Sequence, residues 1–205
     1  MNATLDVIKR RRSVRSYTDK AVPRDVLEAI IEAGNWAPTG HNQQRWRFVV
    51  VEDKGFRQRL LEATRPGFRK WVRSGRDSSD EHHRTYMLGL FRRCLGWDVG
   101  TYEEGLDRML DFEDGVYWSA PVVIFVIGLW AAECDLACEN IMLAAEALGL
   151  GTCIVGFGSM VTQDEEITAA LELQENEKIF GPIVLGYPAI VPDPPSKKAP
   201  VVKWI

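Results

Sequence analysis

Six residues, Val122-Val123-Ile124-Phe125-Val126-Ile127, constrain the fold of this chain more than any others. Every position is apolar, and every side chain is β-branched or aromatic. A strand with one wet face alternates polar and apolar residues; a run without alternation has to be covered on both faces. The run therefore predicts an interior strand. Behind it, Leu136, Asn140, Leu143, Ala144 and Ala147 recur at helical spacing and define one face of a long helix, Cys134 to Leu148. Gly149 and Gly151 stop that helix.

Further extended stretches are predicted at Phe48–Val51 and Ile183–Tyr187, with a short one beginning at Ile154-Val155. A first short helix over Leu5, Val7 and Ile8 can be capped by Thr4. A second, Arg24–Ala33, starts after Pro23 and gathers Val26, Leu27, Ile30 and Ile31 on one face. Residues 54–115 read as helical, charged and aromatic, punctuated at Pro66-Gly67 and Ser74-Gly75, and another helix lies near Asp164–Leu171. Five of the ten prolines fall in 188–205, which predicts an extended C-terminal arm. The order predicts one α+β domain over 1–205, a three-layer α-β-α sandwich with a small mixed sheet and a long central helix. So small a sheet leaves apolar helix surface for a second subunit to cover.

Composition narrows the class. Apolar content of 46% and charged content of 26% are globular values. No apolar stretch reaches the ~18 residues of a membrane helix, and Met1–Asp6 lacks a signal-peptide core; the expectation is a cytoplasmic protein without a membrane partner. Cys94, Cys134, Cys138 and Cys153 show no Cys-x-x-Cys spacing and read as core thiols. His82 and His83 are adjacent, so on a helix they diverge and do not share an ion. No metal site is predicted.

The chemistry-bearing feature is Lys9-Arg10-Arg11-Arg12-Ser13-Val14-Arg15, five cations and a hydroxyl in a chain of formal net charge -4. Taken alone, the run fits a ligand phosphate, a nucleic-acid backbone or a solvated arm. Gly-x-Ser-x-Gly, His-Glu-x-x-His and P-loop patterns are absent. A phosphate site without an evident nucleophile points to a cofactor that carries the chemistry. Between Arg65 and Arg93, eight Lys or Arg face only Asp77, Asp80 and Glu81, with Phe68, Trp71 and Phe91 interleaved. This fits a cationic lid for anionic substrates, or a surface neutralised by the acidic stretch Asp98–Asp114.

Four segments together resemble the nitroreductase-like FMN oxidoreductases. Arg11-Arg12-Ser13-Val14-Arg15 matches the family's phosphate motif. Pro38-Thr39-Gly40-His41-Asn42-Gln43-Gln44-Arg45-Trp46 matches its Ala-Pro-Ser-x-x-Asn-x-Gln-Pro-Trp turn, with Thr39 for Ser and Arg45 for Pro. Glu139 to Phe157 matches the central helix and the glycine turn after it, and Ile183 to Pro188 the late strand. The resemblance implies FMN as cofactor, NADH or NADPH as electron donor, and a small electron acceptor. It implies cofactor contacts at Arg11, Arg12, Ser13, Arg15, Pro38, Thr39, Gly40 and Asn42. It adds a backbone N–H of Val155 or Gly156 at the flavin ring, and Lys198 or Lys197 from the arm. It implies a homodimer whose flavin sites use both chains, no catalytic side chain beyond the flavin, and 54–116 as a variable helical lid. The alternatives are the same fold with dehalogenation, flavin cleavage or azoline oxidation, and a non-enzymatic nucleic-acid-binding protein using residues 9–15.

Overall fold

The computed structural model describes residues 2–76 and 79–205; Asp77, one of the acids weighed against the basic stretch, lies outside them. Four strands, β1 (Trp46–Val51), β2 (Val122–Gly128), β3 (Gly151–Ile154) and β4 (Lys178–Gly186), form one sheet in the order β1-β2-β4-β3. All three strand pairs are antiparallel. The mixed character expected of the sheet is confined to an isolated parallel bridge between Ser13 and Thr152 at the β3 edge.

All seven residues of β2 are buried, as the apolar run requires. Its alternate side chains serve two cores. Val122, Ile124 and Val126 pack with α2 (Arg24–Asn35) and α6 (Ala131–Ala147), through Leu27, Ile30, Ala137, Cys138 and Ile141. Val123, Phe125 and Ile127 face the other way, toward α3 (Lys54–Gly75), α4 (Glu81–Leu95) and α5 (Tyr102–Asp111), among Leu60, Phe68, Phe91, Leu106 and Met109. A helix α1 (Ala3–Arg10) precedes these layers and α7 (Glu165–Ala170) precedes β4. The result is the three-layer sandwich.

Local details differ from expectation for identifiable reasons. Asn2, not Thr4, caps α1: its Oδ1 accepts from the Thr4 N–H at 2.9 Å. Pro66 does not break α3. A helix-interior proline loses one hydrogen bond, but Leu60, Leu61, Thr64, Phe68 and Val72 bury the helix on both sides of it. β3 ends at Ile154, where the sequence placed its start, and β4 begins at Lys178, ahead of the expected Ile183. The helical face read through Leu136 and Ala147 is not the core face of α6. Cys134, Ala137, Cys138, Ile141, Met142 and Ala145 are buried, whereas Leu136 is 46% exposed.

Candidate cofactor site

The basic run is held in an extended conformation beside β3. Val14 donates its N–H to the Thr152 carbonyl at 2.9 Å. Its side chain is buried against Gly151, where an added Cβ would lie 2.6 Å from Val14 Cγ2. In an extended segment alternate residues share a side. Val14 turns inward with Arg12, so Arg11, Ser13 and Arg15 share the opposite side. The buried Cys153 thiol lies by them: burial pushes its pKa up, while Arg15, a Ser13 hydrogen bond and Arg11 pull it down.

The four arginines of the run are used differently. Arg10 bonds Glu146 of α6 at 2.7 Å. Arg11 Nε lies 4.0 Å from Glu139. Arg12 Nη1 donates to the carbonyls of Lys9 and Arg11, both at 2.8 Å, and so closes the C-terminus of α1. Arg15 donates to the Ser13 carbonyl at 3.2 Å, with its guanidinium 5.9 Å from the centroid of the buried Trp118 ring. Arg11, Ser13 and Arg15 are the side chains this segment presents together on one side. Arg12, grouped with them by sequence, points away to its own helix.

The second segment, Pro38 to Arg45, is pinned to the first turn of α6. Gly40 donates its N–H to Glu133 Oε1 at 2.9 Å, and Gln44 donates its N–H to Thr39 Oγ1 at 3.1 Å. His41, Asn42 and Gln44 have φ values of 55°, 54° and 47°. Left-handed backbone at non-glycine residues is costly and is retained where the surroundings fix it. Here the clamps are Glu133, Thr39 and a bond from Gln44 Nε2 to Asn42 Oδ1 at 2.9 Å. Asn42 thus has a partner within the turn, Pro38 is exposed, and Thr39 is half-buried.

After β3, Val155 donates its N–H to the Pro182 carbonyl at 2.9 Å. Gly156 begins the 3₁₀ helix Gly156–Gln163, so its N–H has no partner within that helix. It is exposed, with nothing within 4 Å of where a Cβ would sit. Of the two amides proposed from sequence, Gly156 is the open one. From Thr152 to Gly156 the chain advances four residues, leaving β3 at Ile154, a span of at most about 13 Å.

One chain does not bring all these parts together. Trp46, at the end of the Pro38 turn, pairs with Gly128 at one end of β2, whereas Thr152 is level with Leu185 and Val122 at the other end. That is six residues along β2, about 20 Å. β1 and the Ser13 bridge are also at opposite edges, four inter-strand steps or about 19 Å apart. The phosphate segment and the amide turn therefore occupy diagonal corners. The arm starts at Tyr17, which bridges Pro188, and then carries no regular structure. Lys197 and Lys198 are exposed, and among the described residues no hydrogen bond or ion pair joins either to residues 11–15. Val201, Trp204 and Ile205 stand 103%, 90% and 112% exposed.

Two surface concavities are lined by neither segment. One lies between α2 and β1, by Leu27, Ile31, Phe48 and Val50. The other is lined by Arg57, Asp114, Tyr117 and Ser119. Neither outweighs the basic segment as an anion site, because carboxylates outnumber the cations in both: Glu28 and Glu32 against Arg24, and Asp19, Glu113 and Asp114 against Lys54 and Arg57.

Four cations of the basic stretch of α3 and α4 have partners on the segment that follows it. Arg76 meets Asp107 and Arg84 meets Glu103, both acids belonging to α5. Arg65 donates to the Glu113 carbonyl and Arg92 to those of Val99 and Gly100. Two of the eight cations thus pair with the following acidic stretch, as the second sequence reading expects. Sequence reading missed Cys153 and Trp118 beside Arg15 and Glu133 beneath Gly40. No local pattern signals such contacts, which arise from strand pairing and helix packing. Among the described residues no helix is long and apolar enough to cross a membrane, and no cluster of three or more His, Cys, Asp or Glu could hold a metal.

Known proteins resemble the chain over most of its length. The profile of the nitroreductase family matches residues 8–187. A nitrobenzene nitroreductase from Ectopseudomonas oleovorans is 29% identical over 89% of this chain and 85% of its own length. An FMN reductase [NAD(P)H] from Bacillus subtilis is 28% identical over 92% of this chain and 67% of its own. The crystal structure of a Bacteroides fragilis nitroreductase with bound FMN superposes with a TM-score of 0.73 at 27% identity, covering 100% of both chains.

Proposed function

This chain belongs to the nitroreductase family, and on that premise we propose that it is an FMN-dependent oxidoreductase. NADH or NADPH supplies the electrons, and nitroaromatic, quinone or related electron-poor acceptors receive them in a second half-cycle. One observation carries the reading. Arg11, Ser13 and Arg15 face one way at Thr152, and the open Gly156 amide lies four residues on, just past the end of β3, at most about 13 Å of extended chain away. A molecule with a phosphate at one end and a flat hydrogen-bond-accepting ring at the other fits that spacing. Two guanidinium groups and a hydroxyl suit a terminal phosphate. The relatives and the superposed structure with bound FMN support the same cofactor.

FMN, when bound, supplies the hydride acceptor and donor chemistry; the protein supplies position and electrostatics. Arg11 and Arg15 balance the phosphate charge, and Ser13 completes its hydrogen bonds. The Gly156 N–H offers a fixed donor to the ring edge without adding a titrating group, and the missing Cβ allows close approach. Arg12 acts indirectly, by holding the end of α1 from which the segment starts. No side chain is assigned as catalytic acid or base.

The diagonal placement of the two segments favours a homodimer. In a two-fold pair, the Pro38–Asn42 turn of one copy closes the Arg11–Arg15 segment of the other. Leu5, Ile8, Trp36, Trp130, Leu136 and Leu148 are 46–78% exposed on α1, at α6 and beside the turn, the surface such a pair would cover. The arm, with Lys197 and Lys198, extends from the site edge toward the mate. Residues 54–116 form the helical wall over the site. The nucleic-acid reading is disfavoured because Arg10 and Arg12 already face Glu146 and the end of α1.

The test is a visible spectrum of the purified protein followed by flavin release. Stoichiometric FMN is expected. Stoichiometric FAD, or a colourless protein that takes up no FMN and binds DNA with steep salt dependence, would overturn the assignment.

A further inference from the structure

The helical wall carries an aromatic ladder that ends beside Gly156. Phe157, the next residue, meets Phe68 edge-on at 5.5 Å and Trp71 at 5.1 Å between ring centroids. Trp71 meets His83 of α4 edge-on at 6.3 Å, and His83 meets Tyr102 of α5 at 6.2 Å. Gly67 lets α3 approach the 3₁₀ helix, because a Cβ there would strike the end of Met160. The His83 ring of α4 thus links α3 to α5. Phe68 and Tyr102 are buried, whereas Trp71 keeps 37% of its surface exposed.

We propose that Trp71, braced by Phe157 and His83, selects the electron acceptor by stacking on flat, uncharged aromatic rings. The inference rests on the reading that Gly156 adjoins the flavin ring. If it does, Phe157 and Trp71 border the face an acceptor must reach. Trp71 keeps exposed surface there, and indole offers both area and π-stacking to a planar ring.

On α3 the neighbours of Trp71 at helical spacing, Gly67, Phe68, Ser74 and Gly75, carry no charge. Arg69 and Arg73 lie two residues to either side of Trp71, about 200° around the helix and so on its far side. Arg76 and Arg84 are paired with Asp107 and Glu103. Arg65 and Arg92 are turned to backbone carbonyls. Stacking, rather than a cationic field, is what this surface offers.

The experiment compares FMN-loaded wild type with Trp71→Ala and Trp71→Phe. Benzamide, flat and uncharged, is titrated by calorimetry and by perturbation of the flavin absorption. Turnover is measured with nitrobenzyl alcohol, nitrobenzoate and ferricyanide at two ionic strengths. Trp71→Ala is expected to weaken benzamide binding about tenfold and raise the KM for nitrobenzyl alcohol similarly, with Trp71→Phe restoring most of both. Ferricyanide, which has no ring to stack, should change less than about twofold. Wild type should show no nitrobenzoate advantage that shrinks with salt. FMN-loaded Trp71→Ala with wild-type benzamide affinity, or a salt-sensitive preference for nitrobenzoate, overturns the role of Trp71 alone. A protein that binds no FMN overturns the underlying assignment as well.

Discussion

Arg12 and Arg15 are separated by two residues and have the same side chain, yet their replacement should damage different properties. Arg15 lies on the side with Ser13 and Arg11. A hydrogen bond to a charged group contributes about 1.5–3 kcal/mol, so Arg15→Ala should weaken FMN binding by roughly tenfold to more than a hundredfold. Its thermal midpoint without FMN should hardly move. Arg12 instead donates twice to carbonyls at the end of α1, a helix without a buried residue. A cation closing a helix C-terminus contributes about 1 kcal/mol. Arg12→Ala should therefore lower the apoprotein's midpoint by about 2–4 °C while changing FMN affinity less than about threefold. The assay pairs flavin fluorescence titration of apoprotein with thermal unfolding of the same preparation. If Arg12→Ala loses FMN as severely as Arg15→Ala with no change in midpoint, the alternation of the segment is wrong.

Asp114 is buried, and its carboxylate accepts N–H groups from Val116, Tyr117 and Ser119 in a turn where Trp118 and Ser119 have positive φ. Asp114→Ala leaves these donors unpaired and should cost about 3 kcal/mol or more in urea unfolding, and Asp114→Asn less; equal, small losses would refute the carboxylate's role. Burial pushes the Cys134 thiol up to about 11 and the Cys138 thiol up to about 12. A thiol raised on folding contributes stability fully below its unfolded pKa, about 8.5, and loses it as pH rises toward 11–12. The stability difference between wild type and Cys134→Ala/Cys138→Ala should therefore shift against wild type between pH 9 and 11; a constant difference counts against this. Deleting residues 190–205 removes the arm after Ala189, whose N–H bonds Ser16 at 2.9 Å. It should yield a folded protein that dissociates at low micromolar concentration by light scattering and retains little FMN, and an unchanged dimer with full flavin would refute a bridging arm.

The sheet was legible where burial is total. Val122–Ile127 could be nothing but an interior strand, and its flanks followed. The punctuation expected at Pro66 does not interrupt α3, because the packing of Phe68 and Val72 beyond it outweighs the loss of one helical hydrogen bond. α6 misled because small apolar residues surround it. Leu136 and Ile141 carry similar hydropathy, and only the placement of α2 and the sheet decides that Ile141 is fully buried while Leu136 is half in water. At the site, residue types were legible and directions were not. Arg11, Arg12 and Arg15 are equivalent in sequence. The bridge from Ser13 to Thr152 and the inward turn of Val14 set their sides. Val155 and Gly156 were likewise indistinguishable until Pro182 took up the Val155 amide.

The diagonal layout has a consequence for how cofactor and assembly depend on each other. A phosphate segment beyond β3 and a clamped turn before β1 are fixed to one sheet, whose strands cannot be shortened without losing the interior run. Neither segment can swing across the sheet to the other, because Val14 is locked into Gly151 and Gly40 is held to Glu133. If one cofactor touches both, a second copy has to supply the missing half, and each bound FMN then binds the dimer but not the separated chains. By linkage, FMN in excess of its dissociation constant strengthens association, and dilution of the protein weakens FMN binding. Cofactor loss and subunit dissociation become a single concentration-dependent transition rather than two.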